Sequence, residues 1–288
     1  MKSLISVAHS SRKFCCSVLL VATTLSLALT SAAGKYSYQS PQELTRLQAE
    51  IEKQKARLSV AEIEERRDAV MRLGALRRMD ASRVVIPALA DPAAIVRVAA
   101  AVAVLSLPAE ECVSVLLPLL NDRDPFVRQE VCYALGNIRN RNAIAALVER
   151  LNTDKEDGVR GAAAVALGMI RDEGAVIPLA QILSGTSVSS RASRKRKTKE
   201  NSFVLRAAAQ ALGEIRSRAA VPVLVETLSN DSLADDVRRE AAESLGRIGD
   251  ASASAALQAA SEGHDAYLSR IALEALHKID STPAGKRP

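Results

Sequence analysis

The chain has almost no aromatic surface. Tyrosine occurs four times, phenylalanine three times and tryptophan not at all, so rings make up 2% of 288 residues. Sugar clefts, single-strand nucleic-acid platforms and aromatic cages all use flat π-faces that this composition barely supplies. Cysteine, at four, is too scarce for a disulfide-rich scaffold, and 13 Gly with 10 Pro exclude a collagen-like chain. Only three histidines occur, and there is no Cys-x-x-Cys, no Gly-x-Ser-x-Gly and no phosphate-cradling glycine loop. What is present is 48% hydrophobic and 25% charged, a balance that folds. A core with so few rings must be packed from Ala, Leu, Val and Ile, which favours helices in close approach.

The first 33 residues read as a targeting segment. Lys2, Arg12 and Lys13 precede the apolar run VLLVATTLSLALT, and the small residues Ser31 and Ala33 stand three and one places before Gly34. This pattern predicts a secretory signal peptide over 1–33 and a periplasmic or secreted mature chain. The alternative is an uncleaved N-terminal membrane anchor, although the run is short of the roughly 20 residues that a span needs. Cys15 and Cys16 precede the run, so neither reads as a lipid-attachment site. No later segment reaches transmembrane length.

A repeat dominates the remainder. EERRDAVMRLGAL (64–76), AIVRVAAAVAVL (94–105), FVRQEVCYALGNI (126–138), GVRGAAAVALGMI (158–170), FVLRAAAQALGEI (203–215), DVRREAAESLGRI (236–248) and YLSRIALEALHKI (267–279) share one pattern. An apolar residue precedes an arginine; small residues follow three and four places on, leucine at seven, glycine at eight. The eighth place is Gly74, Leu105, Gly136, Gly168, Gly213, Gly246 and His277. Successive units are 31 to 33 residues apart except between Gly168 and Gly213, where an excess falls in 184–201. The apolar places cluster on one side of a 3.6-residue helix, Ala at three and four admits a close neighbour, and Gly at eight removes a colliding Cβ. Shorter apolar stretches between these segments read as partner helices. Pro178 and Pro222 fit a first turn, whereas Pro87 and Pro118 should shorten theirs.

These units resemble the short HEAT-like repeat also found in phycobilisome bilin lyases, over residues 59–280; Leu105 and His277 replace the glycine, and Leu205 and Ser269 the arginine. The resemblance implies an all-α fold, an α-solenoid of about seven helical hairpins with the second helices lining a concave side. Before it, Ser40-Pro41-Gln42-Glu43 reads as a capping box opening a helix over about 41–58 within an N-terminal arm of 34–58, and Ser59-Val60-Ala61-Glu62 as a second box. Residues 281–288 read as a disordered tail.

The arginines Arg66, Arg97, Arg128, Arg160 and Arg238 accompany aspartate-bearing turns (Asp91, Asp122, Asp124, Asp154, Asp235, Asp236). They read as a ladder of caps and ion pairs between units, each worth about 0–1 kcal/mol if exposed, in preference to an anion-binding stripe. The fifth and ninth places point away from the packing side. There Met71, Val102, Tyr133, Val165 and Met169 form an apolar strip on the expected concave face, a candidate site for a protein partner. The alternative is that neighbouring units bury these side chains.

The segment 184–201, SGTSVSSRASRKRKTKEN, carries Arg191, Arg194, Lys195, Arg196, Lys197 and Lys199 and reads as a loop inserted between units. It is the candidate contact for a polyanion or an anionic membrane. Residues 1–33 hold three bases and no acid, and 186–201 six bases and one acid; the remaining 30 bases and 32 acids turn the overall +6 into −2. Cys112 and Cys132 flank the turn near Asp122 and form either a candidate disulfide or two buried thiols. HEAT-like relatives that hydroxylate deoxyhypusine hold iron with paired His-Glu motifs, and none occurs here. A non-catalytic scaffold without cofactor or metal is therefore expected, its oligomeric state unspecified by these residues.

Overall fold

The computed structural model describes residues 40–186 and 200–281. The expected targeting segment 1–33, residues 34–39 of the expected arm, the six bases of the inserted loop and residues 282–288 of the expected tail lie outside the described residues. Internal contacts divide the chain between Glu50 and Ile51. In the first unit, the described residues open helix α1 (Pro41–Arg57). The predicted capping box is formed: the Ser40 N–H donates to Glu43 Oε2 at 2.8 Å and the Glu43 N–H to Ser40 Oγ at 3.2 Å.

In the second unit α1 continues with Ile51 and Gln54 buried. Seven motif helices follow: α2 (Ile63–Ala75), α4 (Ala94–Ala103), α6 (Pro125–Ile138), α8 (Asp157–Ile170), α10 (Ser202–Ile215), α12 (Asp235–Ile248) and α14 (Ala266–Ser281). Six partner helices alternate with them: α3 (Met79–Val85), α5 (Ala109–Leu116), α7 (Ile144–Thr153), α9 (Val176–Leu183), α11 (Val221–Ser229) and α13 (Ser254–Ser261). No strand occurs among the described residues. Each motif helix packs on the next, and each partner helix packs on the motif helix that follows it. The result is the expected two-layer α-solenoid with one continuous core of Ala, Leu, Val and Ile.

The eighth-place glycines set the spacing of the motif layer. A Cβ on Gly136 would lie 2.8 Å from Ala166 Cα, and one on Gly168 2.7 Å from Ala211 Cα, so the helices touch backbone to backbone. Gly213 meets Ser244, whose buried hydroxyl is satisfied by the Ala209 carbonyl at 2.9 Å. Where Leu105 stands in place of glycine, α4 stops at Ala103 and tightens into a 3-10 turn, Val104–Ser106. His277 is exposed on α14, which no described helix follows.

The prolines act as their places predict. Pro178 and Pro222 lie in the first turns of α9 and α11. The helices before Pro87 and Pro118 end at Val85 and Leu116 and continue as 3-10 turns. The second capping box is not formed. Glu62, not Ser59, is the N-cap of α2, and it makes no side-chain cap. The Arg66 guanidinium occupies this corner instead, donating to the Val60 and Ala61 carbonyls at 3.0 and 2.8 Å.

Candidate interaction surface

Along a motif helix, the second place before the arginine and the first, fifth and ninth after it fall on one outward face. In α4 this face is Ile95, Val98 and Val102, in α6 Phe126, Gln129 and Tyr133, in α8 Val165 and Met169 beside Gly158 and Gly161. Met71 is 53% exposed and Val102 47%, whereas Tyr133, Val165 and Met169 are half-buried. The predicted strip is thus open at its first two members and partly closed at the other three, because Tyr133 and Val165 lean onto the core. Ile95 and Phe126 are more open than most of the strip, Phe126 at 72%. Sequence reading passed over both by starting from the fifth place. Apolar residues two places before the arginine, in Ile95, Phe126, Phe203 and Tyr267, are the signal that would have found them.

The face changes character along the array. Phe203 of α10 lies over Gly161, where a Cβ would come within 2.1 Å of its ring. Beyond it the Tyr267 ring lies 5.3 Å from the Arg239 guanidinium, and Arg247 pairs with Glu243 at 2.7 Å and Glu240 at 3.1 Å. The α4-to-α8 part is therefore largely apolar, Met71 of α2 stands beside a Glu64–Arg67 ion pair at 3.0 Å, and the α12-to-α14 part is a network of ions.

The opposite corner of the array carries the arginine ladder. Arg66 donates through Nε and Nη2 to both carboxylate oxygens of Asp91, at 2.7 and 2.9 Å. Arg97 meets Asp122 in the same way at 2.7 and 2.7 Å, and Arg128 meets Asp154 at 2.8 and 2.7 Å. Each aspartate also accepts the N–H two residues on, and the backbone carbonyls of Asp91 and Asp122 accept from the next arginine of the series. Rungs therefore join successive units into one strand of bonds. These pairs are nearly buried, with Asp154 at 2% and Arg128 at 13% side-chain exposure, so the small value expected of exposed pairs does not apply.

Two rungs depart from the predicted residues. Arg160 finds Glu200, at 2.6 and 2.8 Å, so the residue that closes the inserted loop supplies the missing acid. In the sixth unit Arg239 takes Asp265 at 2.9 and 3.0 Å, while Arg238 binds the Leu228 carbonyl and Asp231. Asp235 and Asp236 approach Arg239 and Arg206 at 3.9 and 3.8 Å from within the first turn of α12, where Asp236 also accepts the Val237 N–H at 3.0 Å; the N-cap of α12 is Ala234. The ladder is interrupted at Leu205, which has no guanidinium to offer, and resumes at Arg239.

The carboxyls of Asp91, Asp122 and Asp154 are held below their ordinary range. At Asp91 the Arg66 hydrogen bond is the main cause. At Asp122 and Asp154 burial pushes upward, and the bonds from Arg97 and Arg128 with the turn N–H groups outweigh it. An aspartate lowered in the folded state contributes stability that is present above its unfolded value and is lost as pH falls through the folded one. Thermal midpoints are thus expected to stay level from neutral pH to about pH 5 and to drop below about pH 4. Differential scanning calorimetry across this range checks it, and a midpoint that rose on acidification would contradict the ladder. Glu240 acts in the opposite sense, because burial raises its carboxyl and Arg247 only partly offsets this.

Cys112 and Cys132 are free and buried, so the candidate disulfide is not formed. Their neighbours differ. The Cys112 thiol donates to the Val104 carbonyl at 3.4 Å in the preceding turn, while the groups acting on Cys132 are Asp154, Arg150 and Arg128. Burial pushes the two thiols up to about 11 and about 12. Among the described residues no group of three or more His, Cys, Asp or Glu side chains is placed to hold a metal ion, and no helix is long and apolar enough to cross a membrane.

A two-layer array of helical hairpins with closely spaced motif helices and rungs of arginine and acid between most successive units defines an α-solenoid repeat protein. The family model for HEAT repeats matches residues 82–168, 113–196 and 194–277, and the chain belongs to the HEAT-repeat family. No curated protein matches it. Among solved structures it is similar to the CpcE–CpcF phycocyanin lyase complex of Nostoc sp. PCC7120, with 23% identity, TM-score 0.48, and 81% of this chain and 89% of that one covered. Human deoxyhypusine hydroxylase in complex with glycerol gives 19% identity, TM-score 0.41 and coverage of 84% and 100%. A designed armadillo repeat protein gives 18%, 0.38 and coverage of 80% and 99%.

Proposed function

We propose that this chain is a non-catalytic scaffold that binds another protein outside the cytoplasm, through the outward face of its first four motif helices. The observation that carries the reading is the unpaired apolar surface of Met71, Ile95, Val102 and Phe126 on neighbouring helices, since contiguous exposed apolar area is uncommon without a partner. The face suits an amphipathic element, which would lay its own apolar side along the strip. The extracytoplasmic setting rests on the base-then-apolar pattern of residues 1–33.

The test compares the wild-type chain with a Val102→Asp, Phe126→Ser variant, both tagged and expressed in the native host. Both side chains are exposed, so helicity and melting midpoint are expected to be unchanged. Crosslinked partners are expected to disappear from the variant. An identical set of partners from wild type and variant would remove the face from the binding role.

A further inference from the structure

Four described residues other than glycine adopt a left-handed backbone, and all four are arginines eleven places after the first arginine place of their unit: Arg77, Arg139, Arg171 and Arg216, at φ 51, 55, 58 and 59. In the sixth unit the same turn is made by Gly249 at φ 74, the residue that such a helix end favours. Attraction to the helix C-terminus rewards a base anywhere in the last turn, and the neighbouring places would supply it without a left-handed arginine.

The row is continuous over units three to five. Helices α6, α8 and α10 lie side by side at the Gly136–Ala166 and Gly168–Ala211 contacts, which brings their C-terminal corners onto one edge. Arg139, Arg171 and Arg216 are all exposed. Arg171 bonds Glu214, whereas Arg139 and Arg216 make no ion pair or side-chain hydrogen bond among the described residues. Two residues further on, Arg141 and Arg218 add exposed bases, each 3.2 Å from an aspartate of the next unit, Asp172 or Asp250.

We propose that this edge binds an extended acidic segment of a partner protein, with carboxylates at every third residue meeting Arg139, Arg171 and Arg216. Close-packed helices lie about 8–10 Å apart, and a chain extended in the polyproline II form advances about 3.1 Å per residue with three residues per turn, so every third side chain faces the same way and one turn spans one unit. The guanidinium fork matches a carboxylate in bidentate fashion. Asp172 and Glu173 follow Arg171 in the chain, and Glu214 pairs with it, so acids share this edge with the arginines. These acids repel an unbroken run of phosphates, while a peptide with spaced carboxylates steps over them. The edge is separate from the apolar face, whose residues occupy other places of the helices.

The probe is a fluorescent peptide of about twelve Gly, Ser and Glu residues with Glu at every third place, compared by anisotropy with an isomer whose glutamates form one block. The full chain is expected to bind the spaced peptide about tenfold more tightly than the block isomer. Arg139→Gly with Arg216→Gly is expected to weaken that binding by about tenfold or more while the melting midpoint holds or rises, because glycine relieves the left-handed turn. Equal affinity for the two peptides, absence of binding, unchanged binding by the double variant, or tighter binding of a single-stranded oligonucleotide of equal length would each overturn the proposal.

Discussion

Replacing Asp154 with alanine is expected to destabilise the array by about 3 kcal/mol, lowering its thermal midpoint by about 6–12 °C. The Asp154 carboxylate is 2% exposed and accepts both Arg128 bonds and the Glu156 N–H, with Arg150 at 3.8 Å. Its removal strands a guanidinium that is 13% exposed and retains only the Asp122 and Arg123 carbonyls. A buried charge without its partner is the expensive state, and a buried pair replaced by apolar groups is not. Arg128→Met combined with Asp154→Leu is therefore expected to recover most of the loss. Urea unfolding followed by circular dichroism measures all three variants. A double variant as weak as Asp154→Ala alone would show that the rung stabilises by something other than charge pairing.

The second large effect is expected at Gly168. A Cβ there would lie 2.7 Å from Ala211 Cα and 2.9 Å from Ala211 Cβ, and the atoms in the way belong to a helix backbone that cannot turn aside. Gly168→Val is expected to push α8 and α10 apart at a cost of about 3 kcal/mol, at the upper end of overpacking. Gly158→Ala is the control. Its Cβ would meet only the end of the Gln129 side chain, at 3.3 Å, so the gain in helix propensity of about 0.5–1 kcal/mol should appear as a higher midpoint. If both substitutions lowered the midpoint equally, close approach at the eighth place would not be what glycine supplies.

Much of the fold was legible because a repeat states its packing seven times over. Leucine and small residues recurring at helical spacing located every motif helix, and Pro87 and Pro118 located the ends of α3 and α5. The errors fall where one unit departs from the others. Ser59 looked like a cap, yet the Arg66 guanidinium reaches the same carbonyl-rich corner from the following helix. Arg238 kept its place in the pattern and lost its role to Arg239, because Asp265, the acid of the turn before the next motif helix, lies within reach of the neighbouring place. Glu200 looked like part of a basic loop, and its partner Arg160 lies 40 residues away.

By itself the sequence determined the class of fold, the number of units, the residue types at each packing place and the balance of charge outside the two basic segments. Local spacing carries that information, since helical periodicity depends on residues three and four apart. The tertiary structure alone decided which arginine meets which acid and that the two cysteines stay apart. It also decided that Phe126 and Ile95 stand open while Tyr133 and Val165 lean inward, and that arginines with left-handed backbone line an edge. Those outcomes depend on what the neighbouring unit places opposite a side chain. A contact between units is set by backbone approach over distances of 25 residues or more, which no local pattern contains.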